Sequence, residues 1–511
     1  MDTTIDYDCQ HTPRGAVVSA AGLDFLRTLE QQEEKTGHQA FTRAPVCPAA
    51  GATVTCGNGN SGAGALGERQ VNDPQQDVGV PDNNITQSET SLASFCPFIL
   101  FGFNDSNCAA FGNFSGFAFS SDGGNTWSDC GSTPRNPGWR NGGDPVIAVD
   151  RKGVFYYAQL STTDTGESVI SVSTATINPN NLLITMNLPF AAGVGSTATG
   201  FQDKEWTAVG KDITRRLALW HFEESLHVTW TDFLRDNQGN LTSVGVRYSK
   251  WSTGVNPQLL IPSKTIVNSS VQASFPLLDR RGILYVFYED FTGPPPTNRS
   301  IRLVRSFDAG QTFSTPIMVS PVNPVLNAVA CNRNVIQVTQ PKNIRIVFEY
   351  PHAAVGPDNT IYVVWQNGRP GGGSDILIAY SRDCGDTWTV RQVTDTDVFD
   401  FFPSVIVNKN GAHVQYARFN GAAGVGDGTF ALFKRTFTIA GGAGPESMVS
   451  TVFSMVPDTN PNFDDQVANC YMGDYNQIVL GQGGTLLHAW SDNRNNPNGN
   501  NPDVFFIKTL G

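Results

Sequence analysis

An eight-residue turn motif occurs three times in this chain of 511 residues. Its shared pattern is Ser-x-Asp-x-Gly-x-Thr-aromatic, and each copy follows a strand-like stretch. The copies are Ser120–Trp127, Ser306–Phe313 and Ser381–Trp388. Asp, Gly and Asn favour tight turns, because their side chains bond the local backbone or because they tolerate positive φ. The three copies therefore predict β-hairpins built on one repeated plan.

The aspartates of these turns are Asp122, Asp308 and Asp383. A short Asp side chain readily accepts hydrogen bonds from nearby backbone N–H groups. The aromatic residue that ends each copy can fold back under the hairpin and become buried. We therefore expect the three aspartates to hold their own turns, which makes them poor candidates for catalysis.

A second, longer repeat runs along the chain. Each unit has an apolar strand, a turn with Gly or Asn, and a Tyr- or Trp-rich strand that ends in an acid or an amide. Seven such units begin at Glu89, Asp144, Asp203, Ser274, Pro351, Phe402 and Gly473. Short strands with turn punctuation indicate an all-β protein. Seven four-stranded units predict a seven-bladed β-propeller over residues 85–511, with six blades as the alternative if the first or sixth unit is partial.

Residues 1–84 differ from the rest and are predicted to form an N-terminal extension. Leu23–Glu30 has apolar residues at helical spacing, which predicts a short amphipathic helix. Residues 44–66 are rich in Ala, Gly and Asn and are interpreted as a loop. The extension either packs across the propeller or serves as an arm for self-assembly.

Charge and hydropathy exclude several classes of partner. The net charge is −12 and the sequence pI is about 5.0, which argues against nucleic acid and anionic membranes. No apolar run reaches the roughly 18 residues that a transmembrane helix needs. Met1–Gln10 lacks the basic start and apolar core of a signal peptide. Either this start is not the precursor start, or export uses another route.

The nine cysteines include no CxxC pair and no Cys/His cluster that would indicate zinc. Cys47 with Cys56, and Cys96 with Cys108, are close enough in sequence to be bridged. Sparse lysine and abundant Asn, Gly and Thr are also typical of extracellular proteins, so we expect disulfides and an extracellular or cell-surface location. The odd count leaves at least one thiol free or paired between chains.

In a propeller, the residues before each inner strand and after each second strand lie on one face, opposite the octapeptide turns. That face collects most of the acids at strand ends. The candidate catalytic residues are Asp144, Asp203, Glu205, Glu349, Asp474 and Tyr475. The candidate substrate-binding residues are Lys204, Asp232, Asp290, Arg369, Asp492 and Arg494.

Carboxylates gathered at one face raise one another's pKa and can divide acid and base roles between them. They could equally hold Ca²⁺, the one cofactor that the pattern indicates. The alternative is that each acid caps its own loop or pairs with a neighbouring arginine. His352, His413 and His488 fall at strand positions of different blades, so we expect them in the core or at the rim rather than on a metal.

The three octapeptides resemble the Asp-box, or BNR repeat, of the sialidase-like β-propeller superfamily, and the resemblance extends over roughly residues 85–511. It implies a carbohydrate or glycoprotein partner. In sialidases three arginines clamp the substrate carboxylate, a Tyr assisted by a Glu is the nucleophile, and an Asp is the acid/base. In this chain Tyr475 could match the nucleophile in the last blade, and Arg369 and Arg494 could match two of the clamp arginines.

The chain departs from the sialidase pattern in its first blade. Sialidases place an Arg-Ile-Pro motif there, whereas this strand opens with Glu89, and no arginine lies between Arg69 and Arg135. A glutamate at that place would repel a sialic-acid carboxylate. The sequence therefore predicts an extracellular, sialidase-like propeller that recognises glycans as a non-standard or non-catalytic member.

Two alternatives remain open. The first is a glycoside hydrolase of exo-sialidase type, or a polysaccharide lyase, that uses the face carboxylates and Tyr475. The second is a structural propeller subunit of an extracellular surface assembly.

Overall fold

The computed structural model places seven β-sheets around one axis, five of them four-stranded and two six-stranded. It describes residues 47–56, 67–77, 85–178, 180–195, 200–218, 221–235, 241–293, 297–325, 328–330, 333–339, 342–345, 349–370, 372–421, 428–456, 464, 467, 471–495 and 502–511. The predicted helix at Leu23–Glu30 lies outside these residues.

The strands are numbered here in chain order. Ahead of the first blade come β1 (Val54–Cys56) and β2 (Arg69–Gln70). Blade 1 contains β3 (Gln87–Phe95), β4 (Phe98–Asp105), β5 (Ser115–Ser120) and β6 (Ser128–Ser132). Blade 2 contains β7 (Trp139–Val149), β8 (Phe155–Thr163), β9 (Ser168–Ile177), β10 (Ile184–Met186) and β11 (Phe190–Val194). Blade 3 contains β12 (Gly200–Ala218), β13 (His221–Arg235), β14 (Leu241–Ser252) and β15 (Leu259–Val267).

Blade 4 contains β16 (Val271–Leu278), β17 (Leu284–Asp290), β18 (Ser300–Ser306) and β19 (Ile317–Pro321). A small sheet follows, made of β20 (Ala328–Ala330), β21 (Arg333–Thr339) and β22 (Lys342–Arg345). Blade 5 contains β23 (His352–Val355), β24 (Ile361–Gly368), β25 (Ser374–Ser381) and β26 (Thr389–Gln392).

Blade 6 contains β27 (Asp400–Asn408), β28 (Gly411–Phe419), β29 (Thr429–Thr438), β30 (Gly442–Ala443), β31 (Ser447–Met448) and β32 (Ser454–Met455). Blade 7 contains β33 (Gln477–Leu480), β34 (Leu486–Asp492) and β35 (Asp503–Thr509). Two short 3-10 helices, Ser106–Phe111 and Gln482–Gly484, complete the regular structure of the described residues.

Within each blade the first three strands pair antiparallel in chain order. The first strand of each blade lies innermost. Each inner strand packs beside the next one, and β33 of blade 7 packs beside β3 of blade 1. The ring is therefore closed. This confirms the predicted seven-bladed propeller, and the six-bladed alternative is wrong. The sheet formed by β20–β22 was not predicted.

The hydrophobic core lies between neighbouring blades. Trp127 of blade 1, for example, is 1% exposed and packs edge-on against Phe506 of blade 7, with ring centroids 5.0 Å apart. His352, His413 and His488 are buried, as the sequence predicted. Burial lowers the pKa of His352 to about 3, so this ring is neutral near neutral pH.

The octapeptide turns join the third and fourth strands of blades 1, 4 and 5. Asp122 Oδ1 accepts hydrogen bonds from the N–H groups of Asn125 and Thr126, both at 2.9 Å. Asp308 and Asp383 accept from the N–H groups of Thr312 and Thr387 in the same way. The predicted structural role of the three aspartates is confirmed.

The octapeptide turn of blade 1 lies on the face that also holds the first hairpin turn of that blade. Gly123 N–H donates to Pro97 O at 2.7 Å, and Pro97 follows the end of inner strand β3. The other end of each inner strand therefore belongs to the opposite face, where the sequence placed the candidate site.

The cysteine pairing differs from the two local pairs that sequence spacing indicated. Cys47 bonds Cys108, and Cys56 bonds Cys130. Cys96 is also disulfide-bonded. Both described bridges fasten the N-terminal stretch to blade 1 instead of closing short loops within the stretch or within the blade. In the described residues Cys384 is a free cysteine.

The segment 67–77 closes the ring from the N-terminal side. Its strand β2 pairs with the last strand, β35, and so supplies the outer strand of blade 7. Asn72 is 2% exposed and holds this closure with its amide group. Its Nδ2 donates to Asp503 Oδ1 at 2.7 Å and to Gln87 Oε1 at 3.2 Å, and its Oδ1 accepts from Val504 N at 3.1 Å. One side chain thus links the N-terminal segment to blades 1 and 7.

No helix of the described residues is long and apolar enough to cross a bilayer.

The substitution Asn72→Ala is expected to lower the free energy of unfolding by about 2–3 kcal/mol, because it leaves buried partners without hydrogen bonds. Urea unfolding followed by tryptophan fluorescence measures this change. The control is Asn410→Ala, since exposed Asn410 makes its side-chain bond to Gly511 O at the surface. An equal, small effect of both substitutions would show that the Asn72 bonds do not stabilise ring closure.

Candidate functional site

Five inner strands carry a β-bulge at the same place, toward the face opposite the octapeptide turns. At each bulge two residues oppose one residue of the neighbouring strand. The bulge pairs are Glu89-Thr90, Asp144-Pro145, Lys204-Glu205, Ala273-Ser274 and Phe402-Pro403. Bulges redirect side chains and are frequent beside active sites. The repeated bulge therefore marks this end of the inner strands, called the bulge end below.

The first residue of every bulge pair has a positive φ. The values run from 50° at Phe402 to 60° at Asp144 and Ala273. A residue with a Cβ atom in this region costs about 1–3 kcal/mol of strain, and such strain gathers at functional sites. In blade 7 the corresponding turn uses Gly473, with φ 81°. A Cβ atom on Gly473 would lie 2.7 Å from the backbone N of Glu89, so only glycine permits this close approach.

Side chains from several blades meet at the bulge end around Lys204. The Lys204 ammonium interacts electrostatically with Asp144, Glu89, Asp474 and Asp203. It also lies over the Tyr350 ring at 4.3 Å and the Tyr475 ring at 5.1 Å. Blades 1, 2, 3, 5 and 7 supply these residues, and only the centre of the ring can bring such blades together. With Glu205 these side chains form what we call the axial cluster: Glu89, Asp144, Asp203, Lys204, Glu205, Tyr350, Asp474 and Tyr475.

The axial cluster is buried. Asp144, Lys204 and Glu205 are 0% exposed, while Asp474 and Tyr475 are 4% and 7% exposed. Within the described part of the chain, Lys204 Nζ and both carboxylate oxygens of Glu205 have no hydrogen-bond partner. Buried polar groups are normally paired. Unpaired donors and acceptors inside one cluster are therefore available to a bound molecule.

Burial shifts the pKa values of Asp203, Glu205 and Lys204 toward neutrality. It raises the pKa of Asp203 to about 7, with the Asp144 charge adding to the effect. It raises the pKa of Glu205 well above its ordinary value and lowers the pKa of Lys204 to about 7, against the attraction of the surrounding carboxylates. Groups that titrate near neutral pH in a dry site are suited to proton transfer.

Hydrogen bonds hold the cluster in place from the neighbouring blades. Gln272 Nε2 donates to Asp203 Oδ2 at 2.9 Å, and the Asp144 N–H donates to Asn104 Oδ1 at 2.7 Å. Tyr475 Oη donates to Pro145 O at 3.1 Å. Burial raises the pKa of the Tyr475 hydroxyl well above its ordinary value, and the charges of Glu89 and Asp144 raise it further. Tyr475 is therefore a neutral phenol.

The predicted site residues divide into two groups in the structure. Asp144, Asp203, Lys204, Glu205, Asp474 and Tyr475 come together in the axial cluster. The other six lie in separate ion pairs near strand ends: Asp232, Asp290, Glu349, Arg369, Asp492 and Arg494.

The two arginines predicted to clamp a carboxylate are engaged within the protein. Arg494 pairs with Asp492 at 2.5 Å and with Glu68 at 2.8 Å. Arg369 lies 3.5 Å from Asp375. Asp232 and Asp290 are likewise near Arg247 and Arg302, at 3.9 Å and 3.4 Å.

Glu349 belongs to a second buried group, beside the axial cluster. Arg299 lies between Glu289 and Glu349, and its Nε donates to Glu289 Oε1 at 2.7 Å. Burial raises the pKa of Glu289 to about 8 despite the Arg299 charge, and it also raises the pKa of Glu349. Tyr350 interacts with both Arg299 and Lys204, so it connects this triad to the axial cluster.

Two residues of this region were missed by sequence reasoning. Arg299 lies in the loop between the second and third strands of blade 4, a position that the blade pattern assigns to this face. Tyr471 donates a hydrogen bond to Glu89 Oε1 at 2.9 Å and accepts one from Asn104 at 2.8 Å. Its only sequence signal is that it precedes Asp474 and Tyr475 by a few residues.

No group of three His, Cys, Asp or Glu side chains in the described residues could hold a metal ion.

No family model and no curated protein matches this chain. Among solved structures, a Dyadobacter fermentans protein of unknown function is 13% identical, with a TM-score of 0.43 over 87% of this chain and 98% of that chain. The GH93 α-L-arabinofuranosidase of Fusarium graminearum is 12% identical, with a TM-score of 0.40 over 87% and 98%. A PL25 ulvan lyase is 10% identical, with a TM-score of 0.37 over 71% and 82%. At such identities and TM-scores these likenesses carry no argument about the chemistry of this chain.

Replacing Arg299 with Met is expected to destabilise the protein by about 3–5 kcal/mol near pH 8, because two buried glutamates lose their counter-ion. The folded pKa of Glu289 is raised, so its protonated form is favoured in the folded state and the loss shrinks as pH falls toward 5. Urea unfolding of both proteins at pH 5 and pH 8 measures this dependence.

The control is Arg302→Met, whose partner Asp290 lies 3.4 Å away at a more exposed site. It is expected to cost less and to show less pH dependence. An Arg299→Met loss that is the same at both pH values would contradict the shared burial of the two glutamates.

Proposed function

We propose that the protein acts on glycans at the bulge end of the propeller, as a glycoside hydrolase. The observation that supports this most is the gathering of Asp144, Asp203, Glu205 and Asp474 in one buried cluster. Glycosidic bonds are commonly cleaved by a pair of carboxyl groups, one protonated and one ionised. Burial raises the pKa of Asp203 and of Glu205, which favours the protonated form that a general acid needs.

In this proposal Asp203 is the general acid. Its pKa of about 7 keeps a large share of the carboxyl protonated at neutral pH, and its Oδ1 has no hydrogen-bond partner in the described part of the chain. Asp203 donates its proton to the glycosidic oxygen as the bond to the sugar breaks. Asp144 or Asp474 then takes a proton from the attacking water, and the products are two free saccharides.

The tyrosines would orient the sugar. Tyr350 and Tyr475 place two aromatic rings close to the Lys204 ammonium, and aromatic faces pack well against sugar rings. The disulfides described above are consistent with an extracellular location, where polysaccharides and glycoproteins are found. We therefore propose extracellular glycans as substrates.

Glycan binding without turnover is the second candidate. Its support is that Arg369 and Arg494, the two arginines predicted to clamp a substrate carboxylate, are engaged in ion pairs within the protein. The third candidate is a purely structural propeller. With it we propose self-assembly through the N-terminal arm. Either of these two candidates is compatible with the ion pairs of Asp232, Asp290 and Asp492.

A panel of chromogenic glycosides and polysaccharides tests the enzymatic proposal. Wild-type protein is expected to turn over at least one substrate, and Asp203→Asn is expected to lower kcat by about 100-fold or more, since it removes a general acid. The wild-type rate should fall as pH rises above about 7, because Asp203 then loses its proton. Asp474→Asn and Tyr475→Phe should also lower the rate.

Asp232→Asn is the matched control, because Asp232 pairs with Gln202 and Arg247 outside the axial cluster. It should keep the wild-type rate. Binding of a glycan without turnover would favour the second candidate. The absence of both binding and turnover over the whole panel would contradict a role on glycans.

A further inference from the structure

A buried glutamine of blade 4 holds the carboxyl group of Asp203. Gln272 lies on inner strand β16 and is 1% exposed, and its Nε2 donates to Asp203 Oδ2 at 2.9 Å. Asp203 and Gln272 each stand immediately before the bulge pair of their own blade, and their strands β12 and β16 pack side by side. The repeated bulge therefore brings a side chain of blade 4 to the proposed general acid of blade 3.

The next residue along the chain fixes the orientation of the Gln272 amide. The Ala273 N–H donates to Gln272 Oε1 at 3.3 Å, so Nε2 is the atom directed toward Asp203. The reverse orientation would place Nε2, which is also a donor, against the Ala273 N–H. Gln272 is itself held in the sheet opposite Glu289 of β17. The amide is therefore a fixed hydrogen-bond donor.

This donor determines which oxygen of Asp203 carries the proton. Oδ2 accepts from Gln272 Nε2, so a proton on Oδ2 would meet a second donor. Oδ1 has no hydrogen-bond partner in the described part of the chain. The proton of the neutral carboxyl group therefore resides on Oδ1, the oxygen that can face a substrate.

The bond from Gln272 also affects the pKa of Asp203. Burial raises this pKa to about 7, with Asp144 adding to the effect, while the Lys204 ammonium and the Gln272 bond lower it. In the described residues the titratable groups that face Asp203 are Asp144 of blade 2 and Lys204 and Glu205 of its own strand. A hydrogen bond to the carboxylate favours the ionised form, so removing the Gln272 donor raises the pKa of Asp203 further.

We propose that Gln272 is a positioning residue for the general acid: its amide holds Asp203 Oδ2 and leaves the proton on Oδ1 for transfer. This rests on the proposed function, which assigns the acid role to Asp203. Oδ1 gives its proton to the glycosidic oxygen as the bond to the sugar breaks, and the carboxylate that forms keeps the bond from Gln272 Nε2. This bond strengthens as the negative charge develops, so it stabilises the transition state more than the bound substrate.

The substitution Gln272→Met tests the proposal, because methionine is similar in length and cannot donate a hydrogen bond. Infrared difference spectra follow the Asp203 carboxyl band with pH, and Asp203→Asn in each background identifies that band. The midpoint is about 7 in the unsubstituted chain and is expected about one pH unit higher in Gln272→Met. Where a glycan is turned over, kcat should fall about tenfold with little change in KM, and the loss of rate at high pH should move with the midpoint.

The matched control is Gln202→Met. Gln202 is also buried, and its Nε2 donates to Asp232 Oδ1 at 3.2 Å, outside the axial cluster. This variant should lose similar stability in urea unfolding and leave the Asp203 midpoint unchanged. An equal shift in both variants, or an unchanged midpoint in folded Gln272→Met, overturns the positioning role.

The outcomes separate this inference from the proposed function. Turnover that depends on Asp203, with an unchanged midpoint in folded Gln272→Met, overturns the inference and leaves the proposed function standing. A shifted midpoint in a protein that turns over no glycan supports the hold of Gln272 on the Asp203 proton but contradicts the proposed function, and the transfer step with it. A shifted midpoint together with a lower kcat supports both.

Discussion

The repeated bulge on the inner strands is the constraint on which the site depends. A regular strand would alternate its side chains between the two neighbouring blades and send none to the axis. At each bulge two residues oppose one residue of the neighbouring strand. This arrangement directs the side chains of Glu89, Asp144 and Lys204 toward a common centre. Their positive φ values are strained, and the closed ring of seven blades is what holds five such bulges in place.

Burial then determines the chemistry of these groups. An ammonium and several carboxyl groups brought into a dry centre cannot all remain charged, so burial moves the pKa values of Asp203, Glu205 and Lys204 toward neutrality. Other acidic residues, which lie near strand ends, are instead paired with arginine, as Asp492 is with Arg494. Acidic residues at the axis of the propeller are thus suited to proton transfer, whereas the acidic residues paired with arginine stabilise the fold.

Sequence patterns predicted the blades, the octapeptide turns and most of the axial cluster, because each depends on neighbours close in the chain. Asp144, Asp203 and Asp474 all stand just before or within an inner strand, a position visible in the repeat. The failures have a common cause. The pairing of Cys47 with Cys108 depends on how the N-terminal stretch packs on blade 1, and the ion pair of Arg494 with Glu68, 426 residues apart, depends on ring closure. No local pattern specifies such contacts.

The most direct test of the proposed function is a crystal structure of the protein with an oligosaccharide that binds in solution. We expect the glycosidic oxygen beside Asp203 and a sugar oxygen within hydrogen-bond distance of Lys204 Nζ. A saccharide bound away from the axial cluster, on the octapeptide-turn face or on the outer edge of a blade, would contradict the proposed function.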